Sequence, residues 1–236
     1  MKKITALTLQ RYKLFIFDWD GTLINSLESY KLWDRMYVQK FYDIDLPVKY
    51  FEDLAKDMKT ITIGTAENPY FRYLDTEYGD GKTPMARIWE NVYSLAAHIQ
   101  SKTVYQEAAP EALSLLRAKT SVPITLATNA VMKDIRYYSS EESQTANHLS
   151  PIDFFDEIVT SDNIEKPKPN PEIFQKLVEQ YAVDPRDVLI FEDTLDGVIA
   201  GKAAGADVVA IHADNSARER ADYVLNNWAE MVILLK

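Results

Sequence analysis

The chain has 236 residues, of which 47% are hydrophobic and 26% charged, a composition typical of a globular protein with a sizeable core. A formal net charge of -10 disfavours nonspecific binding to nucleic acid or to an anionic membrane, because both depend on clustered Lys and Arg. Cysteine is absent, which excludes disulfide bonds and thiolate chemistry and favours a cytoplasmic location.

The length allows one large domain or a core with a smaller companion, and we expect two unequal parts. Residues 1–13 do not have the pattern of a signal peptide. The longest apolar run near the end covers residues 231–235, far short of the ~20 residues of a membrane helix. We therefore expect no nucleic-acid or membrane partner, and the sequence indicates no protein partner.

The first strong signal is a short apolar run that ends in two acids. Residues 14–17 read Leu-Phe-Ile-Phe and predict a buried strand. Asp18 and Asp20 follow, and Gly21 lets the backbone turn away. Side chains alternate along an extended chain, so the two carboxylates would share a face and repel each other unless a cation or a shared proton intervenes. The pattern indicates a metal site or an acid/base pair, or else a plain Asp-Gly turn.

The remaining chain divides by pattern into two parts. Residues 25–102 are mostly helical by periodicity, with polar, turn-prone interruptions at 64–69 and 78–84. From residue 105 onward helices alternate with strands, which predicts a parallel sheet covered on both faces. The predicted helices cover residues 110–118, 132–138, 171–181, 197–204 and 228–235, and the predicted strands cover residues 122–127, 157–160, 188–191, 208–211 and 223–225.

Three of the predicted strands end in polar residues. Asp18 follows the first, Thr128-Asn129 the second, and Glu192-Asp193 a third. The carboxyl ends of parallel strands lie at one edge of a sheet, so we expect these side chains to converge. The proline-stiffened loop 164–171 adds lysines, which supply positive charge for an anionic substrate. Taken singly, the pairs are also explained as helix caps or helix N-terminal acids, and the lysines as solvated loop residues.

In this order the residues resemble the motifs of the haloacid dehalogenase superfamily. Lys168 fits the third motif better than Lys166, because Lys-Pro-x-Pro-Glu-Ile-Phe aligns on residues 168–174. The four motifs are Asp18-Trp19-Asp20-Gly21-Thr22-Leu23, Thr128-Asn129, Lys168, and Glu192-Asp193-Thr194 with Asp196-Gly197.

The resemblance implies a Rossmann-like, doubly wound parallel sheet in an α/β core with an inserted helical cap. The core would comprise residues 1–24 and 104–236, and the cap residues 25–103. An insertion directly after the first motif is similar to the subgroup that contains phosphoglycolate phosphatase and β-phosphoglucomutase. In that subgroup a mobile cap closes over the site and excludes water.

The resemblance also implies a role for each motif residue. Asp18 would be the nucleophile and would form an aspartyl-phosphate, and Asp20 would transfer the proton. Mg2+ would be bound by Asp18, the Asp20 carbonyl and Asp193, with Glu192 beside the ion or behind its ligands. Thr128, Asn129 and Lys168 would bind the phosphoryl oxygens, and Lys168 would also keep Asp18 ionised.

The expected activity is hydrolysis of a small phosphorylated metabolite. Asp20 favours phosphate-ester chemistry, because dehalogenases and phosphonate-cleaving members lack this second acid. A sugar-phosphate mutase of the β-phosphoglucomutase type is the alternative, although the Gly-Val-Ser-Arg type of cap loop is missing. A phosphometabolite-binding protein without catalysis is a further alternative.

Other candidate sites have weaker support. Lys59, Tyr70 and Arg72 are candidates for contacting a second anionic group of the substrate. Gly81-Lys82-Thr83 resembles the end of a phosphate-binding loop, but Thr76 replaces the required glycine. The three histidines, His98, His148 and His212, do not have the spacing of metal ligands.

Overall fold

The computed structural model describes residues 2–57 and 69–236. Within these ranges the chain divides into two compact units. The core unit comprises Met1–Asn25 and Thr103–Lys236, and the helical unit comprises Ser26–Lys102.

A parallel sheet forms the centre of the core unit. Its strands are β1 (Lys2–Lys3), β2 (Leu14–Phe17), β3 (Ile124–Ala127), β4 (Glu157–Val159), β5 (Val188–Glu192), β6 (Asp207–Ile211) and β7 (Tyr223–Leu225). Among the described residues these strands form one sheet in the order β1-β7-β6-β5-β2-β3-β4, with every pairing parallel. The predicted α/β, Rossmann-like fold is confirmed, and the two-residue strand β1 extends its edge.

Helices cover both faces of the sheet. In the core unit they are α1 (Ala6–Leu9), α6 (Ala109–Lys119), α7 (Met132–Tyr138), α8 (Pro151–Phe154), α9 (Glu172–Gln180), α10 (Leu195–Ala203), α11 (Asn215–Arg220) and α12 (Trp228–Leu235). Side chains of β2 alternate between the faces, since Phe15 and Phe17 join the cluster with α6, α7 and α12, whereas Leu14 and Ile16 join the cluster with α9, α10 and α11.

The helical unit has its own apolar core. Its helices are α2 (Ser26–Tyr42), α3 (Val48–Asp57), α4 (Pro69–Tyr78) and α5 (Met85–Gln100). Buried residues from all four helices form one cluster, which includes Tyr37, Phe51, Leu74 and Ile88. The predicted helical character of this stretch is therefore observed in its described residues.

Short elements account for most differences from the predicted pattern. Neither β1, α1, α8 nor α11 was expected, because a segment of two to six residues shows too little periodicity to be recognised. Helix α10 begins at Leu195, two residues earlier than predicted, because the Thr194 hydroxyl accepts a hydrogen bond from Gly197 N and caps it. In the described part of the chain, no helix is long and apolar enough to span a membrane.

Candidate active site

The polar strand ends lie side by side because β2 pairs with both β3 and β5. Asp18 directly follows β2, and Thr128 and Asn129 follow β3. Glu192 is the last residue of β5, with Asp193 next to it. The sheet thus brings five residues that are far apart in the sequence to one edge.

Lys168 lies among the acids at this edge, and its side chain is only 4% exposed. Its Nζ donates to Asp18 Oδ1 at 2.6 Å, to Glu192 Oε1 at 2.6 Å and to the Ala127 carbonyl at 2.9 Å. The ammonium group also lies 4.9 Å from the centroid of the Phe174 ring. All three N–H bonds of the ammonium are therefore directed at oxygen acceptors.

The neighbouring Lys166 has a different environment. Its side chain is exposed, and its backbone N–H donates to Glu172 Oε2 at 3.0 Å. The backbone N–H of Lys168, in contrast, donates to Asn129 Oδ1 at 3.3 Å, which connects the lysine loop to the end of β3. Of the two lysines that the sequence offers, the geometry favours Lys168.

Glu192 and Asp193 are held by different donors. Glu192 Oε2 accepts the backbone N–H groups of Asp193 at 3.0 Å and Thr194 at 3.2 Å, and the Thr194 hydroxyl at 3.1 Å. Asp193 Oδ1 accepts the Thr22 hydroxyl at 2.9 Å. Both oxygens of Glu192 are thus engaged by the protein, which suits this side chain to orienting Lys168.

Glycines allow the close packing around these two acids. Gly21 has φ +80°, and a Cβ built there would overlap Asp193 Oδ2. A Cβ at Gly197 would overlap the carboxylate of Glu192. Larger residues at either position would displace an acid from the site.

Burial and mutual repulsion change the proton affinity of the cluster. Burial raises the pKa of Asp18 well above its ordinary value, and the charge of Glu192 raises it further, against the opposing effect of Lys168. Burial, followed by Glu192, raises the pKa of Asp193 to about 7. Burial lowers the pKa of Lys168, but Asp18 and Glu192 outweigh it and raise that pKa above its ordinary value. Three carboxyl groups thus share one ammonium, and each can be fully ionised only if their mutual repulsion is offset.

The donor set fits a hard divalent cation. Among the described residues, Asp18, Glu192 and Asp193 form a buried group whose carboxylate oxygens lie within 4.8 Å of one another. Carboxylate oxygens are the ligands that hard cations prefer, and such an ion would offset the repulsion between the ionised acids. His98, His148 and His212 are not members of this group.

The remaining predicted site residues lie in the adjoining turns. Asp20 is partly exposed in the turn after β2, and its backbone forms a bridge with Ile24. Thr128 is 1% exposed, and its Oγ1 accepts the N–H of Ala130 at 3.0 Å. Asn129 is exposed, and its Oδ1 accepts the hydrogen bond from Lys168 N at 3.3 Å.

Three further residues hold this turn, and the sequence patterns assign no role to them. Thr22 binds Asp193, and its position after Asp-Gly was the available signal. Gln106 Nε2 donates to the Gly21 carbonyl at 2.9 Å, and Trp228 Nε1 donates to the Thr22 carbonyl at 2.9 Å. Neither Gln106 nor Trp228 belongs to a recognisable sequence pattern.

The candidate substrate contacts of the helical unit have structural partners. Arg72 donates to Asp75 Oδ2 at 3.0 Å, and the Asp75 side chain is fully buried. Tyr70 is 1% exposed, and burial, followed by the charge of Asp34, raises its pKa. Lys59 lies outside the described residues. Tyr70 is thus buried, whereas the Arg72 side chain is 35% exposed, and the roles suggested for both residues stay predictions.

The turn at Gly81-Lys82-Thr83, in the helical unit, has a structural role. Thr83 N donates to Asp75 Oδ2 at 3.2 Å, and Gly81 N donates to the Asp75 carbonyl at 3.1 Å. These backbone donors form hydrogen bonds to a buried aspartate. The turn is therefore explained by its hydrogen bonds to Asp75 and not by phosphate binding.

Comparison with known proteins agrees with this arrangement. The hydrolase family described as haloacid dehalogenase-like hydrolase matches residues 12–205. A bifunctional riboflavin kinase/FMN phosphatase of Arabidopsis thaliana is 40% identical over 90 residues, which are 38% of this chain and only 22% of that relative. A validoxylamine A 7'-phosphate phosphatase of Streptomyces hygroscopicus subsp. limoneus is 24% identical over 234 residues, covering 93% of this chain and 96% of the relative.

Solved structures of other proteins have a similar fold. The crystal structure of CbbY from Rhodobacter sphaeroides in complex with phosphate superposes with a TM-score of 0.72 at 18% identity, covering 93% of this chain and 96% of the other. The family match extends over most of the chain and includes the four motifs up to Gly197. The chain belongs to the haloacid dehalogenase-like hydrolases.

Proposed function

We propose that this hydrolase is a Mg2+-dependent phosphatase that acts on a small phosphorylated metabolite through an aspartyl-phosphate. The observation that carries the proposal is the Asp18 carboxylate, which lies buried at the end of β2 and accepts a 2.6 Å hydrogen bond from Lys168. The phosphatase names of relatives add support: this chain covers 22% of the length of the Arabidopsis thaliana relative and 96% of the Streptomyces hygroscopicus relative.

Asp18 would attack the phosphorus of the substrate. A carboxylate is a nucleophile only when it is ionised, and burial opposes ionisation. The ammonium of Lys168 counteracts this effect and orients the Asp18 carboxylate. The P–O bond to the leaving group would break as the Asp18–phosphorus bond forms, and water would later release phosphate from Asp18.

Asp20 would supply the proton for the leaving oxygen and later remove one from the attacking water. Its place in the turn two residues after Asp18 and its partial exposure suit a group that exchanges protons.

Thr128, Asn129 and Lys168 would bind the phosphoryl oxygens, and Lys168 would do so through its positive charge, because its three N–H bonds already have acceptors. The Thr128 oxygen already accepts a hydrogen bond from Ala130 N, so its own hydrogen can be donated to a phosphoryl oxygen. Donors held in advance by the fold stabilise the charge that develops in the transition state.

Asp18, the Asp20 carbonyl and Asp193 would hold the Mg2+ ion, with Glu192 beside them. The bound ion would offset the repulsion between an anionic nucleophile and an anionic substrate. The Thr22 hydroxyl would keep Asp193 in place through its 2.9 Å hydrogen bond.

The helical unit is proposed to act as a cap domain that contributes substrate contacts. We also propose a cytoplasmic location, in line with the absence of cysteine.

The test measures phosphate release from p-nitrophenyl phosphate and from a panel of phosphorylated metabolites, with and without Mg2+. The Asp18→Asn variant should lose at least about a thousandfold in turnover while its circular dichroism spectrum stays unchanged, because the nucleophile is removed. The exposed Asp153 in α8 provides the matched control, Asp153→Asn, which should retain wild-type activity. Wild-type levels of hydrolysis by Asp18→Asn would refute the proposed nucleophile.

The same panel separates the alternatives. Isomerised sugar phosphate among the products, in place of free phosphate, would indicate a mutase. Tight binding of phosphorylated compounds without turnover would indicate a binding protein.

A further inference from the structure

Hydrogen bonds within the turn fix both peptide groups that flank Asp20. The carbonyl of Trp19 accepts the N–H groups of Leu23 at 2.9 Å and Ile24 at 3.1 Å, which fixes the peptide before Asp20. The N–H of Gly21 donates to the Ile24 carbonyl at 3.0 Å, which fixes the peptide after it. Since both planes are set, the direction of the Asp20 Cα–Cβ bond follows from the turn itself.

A second set of hydrogen bonds fixes the turn to the rest of the core unit. Gln106 Nε2 donates to the Gly21 carbonyl at 2.9 Å, and Gln106 N donates to the Leu23 carbonyl at 2.8 Å. Trp228 Nε1 donates to the Thr22 carbonyl at 2.9 Å. Three consecutive carbonyls of the turn are therefore held by two residues that lie 85 and 206 positions away.

Both donors are themselves well anchored. The Trp228 ring is fully buried, with its centroid 5.9 Å from that of Phe17 and 5.6 Å from that of Phe191. Gln106 directly follows Tyr105, whose backbone forms an antiparallel bridge with Ile24. Motion of the turn would therefore break bonds to two separate parts of the core unit.

We propose that Gln106 is a positioning residue for the proton transfer of Asp20, and that it acts through the Gly21 peptide with Trp228 in a supporting role. This inference rests on the proposed function of Asp20. The Gln106 side chain fixes the Gly21 carbonyl, while Gly21 has φ +80° and no Cβ to limit its rotation. Without this bond, the Gly21 carbonyl loses its hydrogen bond to the rest of the core unit, at the turn residue with the greatest intrinsic backbone freedom.

Misplacement of Asp20 has a chemical signature that general loss of structure lacks. A proton donor contributes most when the leaving group is a poor one, and little when the leaving group departs readily as an anion. Positioning of Asp20 is therefore reported by the ratio of two rates, for esters of similar size whose leaving groups differ in basicity.

The experiment compares kcat/KM for 4-methylphenyl phosphate and 4-nitrophenyl phosphate at saturating Mg2+. In Gln106→Met, which keeps the chain length but lacks the donor, kcat/KM for the methylphenyl ester should fall about tenfold or more, since small displacements of a catalytic group lower rates strongly. The value for the nitrophenyl ester should fall less than about threefold. Asp20→Asn should show the same bias more strongly, and Trp228→Phe should show it in the same direction.

Gln175→Met is the matched control, because Gln175 is an exposed residue of α9, and both esters should react at wild-type rates. Equal losses for the two esters in Gln106→Met, or no loss, would overturn the positioning role while leaving the phosphatase function intact. If the variant fails to fold, Trp228→Phe decides by the same ratio. A wild-type protein that hydrolyses neither ester would overturn the proposed function and this inference together.

Discussion

Lys168 is the residue on which the charge balance of the site depends. Its ammonium contacts Asp18 and Glu192, both at 2.6 Å, and these carboxylates are buried. Removing one partner from a buried ion pair leaves the other charge without compensation, which usually costs more than the pair contributed. In this cluster two acids would lose their shared cation at once.

We predict that Lys168→Met lowers turnover by at least about a hundredfold, because the positive charge that would stabilise the phosphoryl group and orient Asp18 is lost. The free energy of unfolding at pH 7.5 should also fall by roughly 3 kcal/mol or more, because buried carboxylates lose their partner. Urea denaturation of the metal-free protein and initial rates would measure the two effects.

Lys166→Met is the matched control, since Lys166 lies in the same loop with an exposed side chain. It should change neither quantity substantially. Loss of activity in Lys166→Met, with Lys168→Met unaffected, would assign the third motif to the other lysine.

Helix α9 ends in a turn that depends on the backbone conformation of one residue, Ala182. Val183 N donates to the Val178 carbonyl at 3.3 Å, and Ala182 N donates to the Glu179 carbonyl at 3.1 Å, which together form a Schellman motif. The motif requires a left-handed conformation at Ala182, which has φ +50°. Glycine is the residue usually found there, because alanine in this conformation brings its Cβ close to the following carbonyl.

We predict that Ala182→Gly stabilises the protein by up to about 1 kcal/mol, because relief of this strain exceeds the added chain entropy of the unfolded state. Urea denaturation would measure the change in the free energy of unfolding. Ala118→Gly, at an exposed helical position of α6, should instead destabilise by roughly 0.5–1 kcal/mol. A destabilising Ala182→Gly would show that the left-handed residue is not strained.

The stability of the whole molecule should depend on pH and on metal together. Asp193 has a folded-state pKa of about 7, above its ordinary value of 3.8, so the folded protein binds the proton more tightly than the unfolded chain. The resulting stabilisation is fully present below about pH 4 and is lost as the pH rises through about 7. A bound cation requires the ionised carboxylate and therefore competes with that proton.

We predict that Mg2+ raises the melting temperature of the protein more at pH 8 than at pH 5.5. Measuring thermal unfolding with and without Mg2+ at each pH isolates the metal effect, since other titrating groups contribute to both curves. In Asp193→Asn the Mg2+ effect should be small at both values. An equal Mg2+ effect at pH 5.5 and pH 8 in the wild type would contradict competition at Asp193.

At the scale of the molecule, the sequence predicted the core unit well for a physical reason. The three central strands β2, β3 and β5 are short, mostly apolar runs that are buried along their whole length, so local patterns identify them. Parallel strands place their carboxyl ends at one edge, so the acids after β2 and β5 and the Thr-Asn pair after β3 were expected to meet there.

The sequence by itself determined the fold class and the order of the polar strand ends, because both follow from local periodicity and the geometry of parallel sheets. The sequence also favoured Lys168 over Lys166 through its Lys-Pro-x-Pro-Glu-Ile-Phe motif. Only the tertiary structure decided that Lys168 contacts both Asp18 and Glu192, that Arg72 pairs with the buried Asp75, and that Gln106 and Trp228 hold the turn around Asp20. These contacts depend on which distant segments pack together and on the direction in which each side chain leaves the backbone, and no local pattern records either.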